Sequence, residues 1–261
     1  MGKNPDIPTS PPSQVISGGA ADFFAAQRAA FKAKLGETAR ARTQGLMAQA
    51  FENLESNIRR RTEGKPPIAC KKGCSTCCRG FRVDATGPEI FELARYVRTL
   101  PAAERKDLTD RVAAADDVTR GLAKEERARR KDPCPMLGSD DACGAYSSRP
   151  LACRGHASYD RQACLDDAAG LRREVPISMP HTQTRHLVQT ALEAALLDTG
   201  LEPGQYELNH ALRIALADPA AEESWFGGAD VLSGALSPAS KDPSHGVIAV
   251  IGMLEARHRP K

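Results

Sequence analysis

The chain has 261 residues, 41% of them hydrophobic, enough to bury one sizeable core with extensions around it. A formal charge of +3 and an aromatic content of 5% supply neither the basic surface nor the stacking platforms of a nucleic-acid binder, and no apolar run approaches membrane-spanning length. The opening "MGKNPDIPTSPPSQVISGG" has no basic flank followed by an apolar core, so no secretory signal is read and a cytoplasmic location is expected.

Residues 1–19, rich in Pro, Ser and Gly, read as a flexible tail. Residues 20–65 read as a helical extension of one or two amphipathic helices, with Phe24, Phe31, Leu35, Leu46 and Phe51 as apolar positions and "NIRRRTEGK" as a solvated helix end. Next, "TGPEIFELARYVRTLP" opens with Thr86 and Glu89 in capping-box spacing and stops before Pro101, which defines a short helix. The charged stretch from Pro101 to Lys131 predicts a long helix with a break near Gly121, and Arg127 to Lys131 read as its solvated end. A loop, "DPCPMLGSDDACGAYSSRPLACRGH", follows. Further on, "TRHLVQTALEAALLDTG" and "EPGQYELNHALRIALADP" both read as helices, stopped by a glycine and a proline respectively. Alternating β patterns are confined to "GFRVDA" and "GVIAVIGML". The expected fold is mainly α, with helices enclosing a central cysteine-rich, loop-built metal site in residues 66–167 and a helical part over 168–261.

All eight cysteines, Cys70, Cys74, Cys77, Cys78, Cys134, Cys143, Cys153 and Cys164, fall in that central part. The first four come as C-x3-C-x2-C-C in "CKKGCSTCC", a spacing that directs several sulfurs the same way whether it forms one helical face or, as Gly73 favours, a loop entering a helix near Ser75. Crowded thiolates repel one another, and a bound cation removes that repulsion by taking the deprotonated form, so metal is the expected answer. A reducing compartment argues against disulfides. The last four cysteines stand singly, roughly ten residues apart. Only Cys74 with Cys77 has the short hook of structural zinc sites, whereas four-thiolate iron-sulfur cages accept one compact motif with remote ligands. Iron-sulfur is therefore favoured over zinc. Eight thiols suffice for two four-ligand sites, or for one with spare thiols, and the adjacent Cys77 and Cys78 are expected to serve different metals or roles.

The combination "CKKGCSTCC", then "CPML", then "CGAYSSRPLACR" resembles the YkgJ-type cysteine-cluster family, a zinc- or iron-chelating domain, over residues Pro66 to Asp167. The resemblance implies Cys70, Cys74, Cys77, Cys78, Cys134, Cys143 and Cys153 as ligands, and matches the family pattern at Tyr146, Arg149, Pro150 and Arg154. Cys164 lies beyond its clearest part and is included for its nearness in sequence. Related clusters in flagellin lysine N-methyltransferases raise the alternative of an S-adenosylmethionine-dependent modifying enzyme, although no G-x-G-x-x-G follows a strand here. The C-x3-C-x2-C spacing of radical S-adenosylmethionine clusters is also present, but Thr76 stands where an aromatic is usual and the repeated βα pattern is missing. Neither catalysis nor a protein partner is legible.

Arg149 and Arg154 bracket Cys153 and are read as cofactor-binding, donating to sulfur or to an anionic substrate, against the plainer role of capping a loop carbonyl. His156 is a candidate ligand or supporting donor set against an ordinary surface histidine. His181, His186, His210, His245 and His258 form no ligand-spaced pair and read as structural. Trp225 and Phe226 read as core.

Overall fold

The structure, a computed structural model, describes residues 19–37, 39–171, 174–241 and 251–254. The expected tail, save Gly19, and His245 and His258 lie outside these residues.

The chain opens with α1 (Ala20–Leu35) and α2 (Ala39–Thr62), which pack together and against the later α8 (Met179–Asp198). Phe23, Phe24, Phe31, Leu46 and Leu54 face Val188, Leu192 and Leu196 in one apolar core, all of them essentially excluded from solvent. Burying each such side chain contributes about 1.5–3 kcal/mol, which is why these helices hold together despite their charged outer faces.

Two strand-helix units complete the bundle. Strand β1 (Asp84–Thr86) runs into α3 (Gly87–Thr99), and β2 (Gln205–Glu207) runs into α9 (Leu208–Ala217). The strands pair antiparallel, with Ala85 opposite Tyr206, so α3 and α9 leave the ribbon side by side and pack on each other. Each helix start is fixed by a glutamate. Glu89 accepts from the Thr86 backbone N–H at 2.8 Å and the Thr86 hydroxyl at 2.7 Å, and Glu207 accepts from the His210 N–H at 2.9 Å. The sequence reading of "EPGQYELNHALRIALADP" as helix throughout is thus corrected at Gln205–Glu207, where pairing with β1 outweighs local propensity. The candidate strand "GFRVDA" is strand only from Asp84, and in "GVIAVIGML" residues 251–254 are helical, the rest lying outside the described residues.

The charged stretch divides as expected into α4 (Ala102–Thr119) and α5 (Lys124–Arg130), with Gly121 at φ 77° in the break. Three short helices follow: α6 (Leu151–Arg154), α7 (Arg161–Ala168) and, after α9, α10 (Ala221–Phe226). Trp225 is buried against Phe91 and donates to the Tyr206 hydroxyl at 3.2 Å. No helix among the described residues is long and apolar enough to cross a membrane.

Candidate metal centre

Before α3 and again after α5 the chain leaves the bundle and winds through turns and short helices that carry every cysteine. The first motif is a loop, as Gly73 suggested, with Gly73 itself at φ 80°, the Cys74 N–H closing a turn onto the Lys71 carbonyl at 2.9 Å, and a single 3-10 turn over Thr76–Cys78. It is stitched to the second cysteine segment by backbone alone. The Cys134 N–H donates to the Cys78 carbonyl at 2.8 Å, beside an antiparallel bridge between Arg79 and Pro133. Gly80 makes that approach possible. At φ 102°, a Cβ there would lie 2.9 Å from the Arg127 carbonyl oxygen, so only glycine lets the motif lie against α5.

The loop from Cys134 to Cys143 folds back on itself through a bridge between Leu137 and Cys143. Cys153 rides on α6, which is anchored to the bundle by the buried Leu151, whose N–H donates to Glu89 at 2.7 Å. On the other side, Cys70 lies beside residue 158: the Ala69 N–H donates to the Ser158 carbonyl at 2.8 Å, and the Ser158 N–H reaches the Cys70 sulfur at 3.5 Å.

Seven of the eight cysteines, all but Cys164, line one cavity of about 630 Å³. Cys164 is on α7, which packs on the Thr76–Cys78 turn and brings its thiol within electrostatic reach of Cys70. All eight are free thiols of intermediate exposure. Burial in the cavity wall pushes Cys70, Cys134, Cys143 and Cys153 above the usual thiol range, Cys134 to about 11, and repulsion from neighbouring thiols adds to it at Cys70, Cys134 and Cys153. Cys77 is also raised, chiefly because it shares a hydrogen bond with the neighbouring Cys78 thiol. Backbone donors oppose this trend: the Met136, Ala145 and Ser158 N–H groups face the sulfurs of Cys134, Cys143 and Cys70 and favour their thiolates. Soft donors gathered around one space, with amides already aimed at three of them, suit a thiophilic metal. Among the described residues, however, no three histidine, cysteine, aspartate or glutamate side chains converge closely enough to hold a single ion.

Of the two arginines singled out from sequence, Arg149 lies over the Tyr146 ring at 3.9 Å and presents its charge to Cys77, Cys143 and Cys153. Its Nε is buried without a hydrogen-bond partner. Arg154 is otherwise engaged. Its guanidinium pairs with Glu55, donates to the Ser147 carbonyl and to the Arg149 carbonyl (2.8 Å to the latter), and stacks over Phe51 at 3.8 Å.

His156 lines the cavity, edge-on to Phe81, with ring centroids 5.2 Å apart. His181 also lines it and exchanges a hydrogen bond with Ser178 at 2.8 Å, while His210 bonds the buried Asp116 at 3.2 Å. Burial lowers His156 and His181 below the usual imidazole range.

Arg127 corrects the sequence reading. It is not part of a solvated helix end: 6% exposed, it lines the cavity and bonds Glu207 at 2.6 Å, with its Nε buried and unpartnered. Burial follows from the contact of α5 with Gly80, which turns one face of "KEERARR" inward. No spacing within that short charged helix distinguishes Arg127 from its neighbours, and its partner is eighty residues away.

Residues 69–170 match the CxxCxxCC family model, described as "Putative zinc- or iron-chelating domain". That stretch carries the cysteine cluster. The match includes Cys164, which the sequence resemblance had left at its edge. No curated protein and no solved structure matches the chain.

Proposed function

We propose that the cysteine cavity holds an iron-sulfur centre and that the chain is a metalloprotein built around it. The observation that carries this reading is the breadth of the thiol array: seven cysteines border one cavity of about 630 Å³, and only Cys74 with Cys77 has the short hook spacing of a structural zinc site. Mononuclear zinc needs four ligands about 2.3 Å from one atom, whereas a polynuclear cluster meets its thiolates at its corners and fits a broader ring. Cys70, Cys74, Cys77, Cys78, Cys134, Cys143, Cys153 and Cys164 are the donors. When bound, such a centre supplies one-electron chemistry or structural cross-linking.

The chain's own groups would do the rest. The amides of Met136, Ala145 and Ser158 stabilise charged sulfur, Arg149 offsets the negative charge of the thiolates, and Arg154 holds the Arg149 loop against α2. The family description names metal chelation alone and lends nothing to the S-adenosylmethionine alternative.

Protein purified without oxygen from iron-replete cells should be brown, absorb broadly in the visible and release acid-labile sulfide. A colourless preparation carrying stoichiometric zinc would replace this reading with a structural zinc module.

A further inference from the structure

The cavity wall holds more than thiols. Val83, Leu93, Met136 and Leu208 line it too, and its volume of about 630 Å³ lies within the roughly 300–1,000 Å³ of pockets that take small organic molecules. Set into the same wall is Arg127, carried by α5 and 6% exposed. Its Nη1 donates to Glu207 at 2.6 Å, and Glu207 is itself fixed because its other oxygen accepts from the His210 N–H at 2.9 Å. That single bond leaves the side of the guanidinium formed by Nε and Nη2 without a hydrogen-bond partner among the described residues, and the Nε is fully buried. Elsewhere in the chain the same side of an arginine grips a carboxylate: Arg28 reaches the two oxygens of Asp198 with Nε at 2.8 Å and Nη2 at 2.6 Å. A donor shut away from water without an acceptor is costly, and two parallel N–H donors match the two oxygens of a planar carboxylate.

We infer that the cavity takes a small organic monocarboxylate, with its carboxylate on the Nε and Nη2 side of Arg127 and its apolar body along Val83, Leu93, Met136 and Leu208. Arg127 is held in advance from both ends, by Gly80 packed against its carbonyl and by Glu207 on its Nη1, so little order is lost when the ligand arrives. Because Arg127 and Glu207 already balance one another, a group of one negative charge is less costly to bury there than a phosphate of two. The inference uses no thiol and stands apart from the metal reading.

Protein purified without oxygen is titrated calorimetrically, at fixed ionic strength, with hexanoate, with hexanamide and with inorganic phosphate, and its metal is measured per chain. Hexanoate should bind. Hexanamide, which keeps the shape and lacks the charge, and phosphate, which lacks the apolar body, should each bind at least about tenfold more weakly. Arg127→Lys keeps a cation for Glu207 and loses the paired donors, so its affinity for hexanoate should fall by about tenfold or more, with the fold checked by circular dichroism. If that variant fails to fold, the wild-type preference for hexanoate over hexanamide decides. A wild type that ignores hexanoate, or takes hexanamide or phosphate as tightly, or a well-folded Arg127→Lys protein with unchanged affinity, overturns the inference. Metal-free protein that binds hexanoate would remove the metal reading and leave this one, and metal-bearing protein that does not bind it would do the reverse.

Discussion

Glu193 shows how far a single residue in this bundle departs from its solution behaviour. It is buried in the middle of α8, accepts from Gln205 Nε2 at 2.7 Å and Gln189 Nε2 at 3.2 Å, and burial pushes its carboxyl up to about 8. Between the ordinary glutamate range and pH 8, the folded chain thus keeps a proton that the unfolded chain has released. Stability should fall across that window as pH rises, by about 1.4 kcal/mol per pH unit, and level off above it. Glu193→Gln preserves the acceptor and removes the titration, so its denaturation midpoint should vary less with pH than the wild type's. Parallel curves for the two proteins would refute the assignment. Arg149 invites a different test. Its positive charge beside Cys77, Cys143 and Cys153 would favour the more negative, reduced state of the proposed iron-sulfur centre. Arg149→Gln should lower the midpoint potential in a redox titration while leaving the fold intact. An unchanged potential would reduce Arg149 to a partner of Tyr146.

Among the elements, the contact of the first cysteine turn with α5 is the most demanding. Gly80→Ala forces a side chain into a positive-φ position and against the Arg127 carbonyl, so it should destabilise the protein by about 1–3 kcal/mol and lower the metal bound per chain. Metal content equal to the wild type's would show that the turn reaches its place without that approach. The elements also differ in how readily they are read. α3 is legible because Thr86, Glu89 and Pro101 mark both ends, and the split of α4 from α5 because Gly121 marks the break. Strand β2 is not, because three residues are too few to display an alternating pattern and the pairing partner is over a hundred residues away. In the same way, eight clustered cysteines announce thiol chemistry, but the joining of their segments depends on the Cys78 to Cys134 and Ala69 to Ser158 backbone bonds, which no local spacing encodes. Arg127 was hidden for a related reason: its helix is charged all round, and only the packing of α5 selects the inward face.

At the scale of the molecule, apolar packing and thiol chemistry meet along one edge of the core. The core joins α1, α2, α3, α4, α8 and α9, whereas the cysteine turns reach it through Leu151, Met136 and Ala145, with Cys134 and Cys143 packed at its edge. Complete metal removal should accordingly loosen the cysteine-bearing segments within residues 66–167 and leave the long helices, α3 and α4 among them, formed. Circular dichroism should change little, while limited proteolysis should cut within that region and spare α1 and α8. If protease resistance there were unchanged in the metal-free protein, the loops would be shown to hold themselves. The packing of α1 and α2 on α8 adds a matter of timing. Synthesis runs from the N-terminus, so all eight thiols leave the ribosome before the whole of α8, the floor beneath α6 and Cys153, has emerged. The nascent chain therefore passes through an interval in which its thiols are exposed and their scaffold is incomplete. Whatever delivers the metal, or guards the sulfurs from oxidation, must act on that unfinished chain or wait for the helix that closes it.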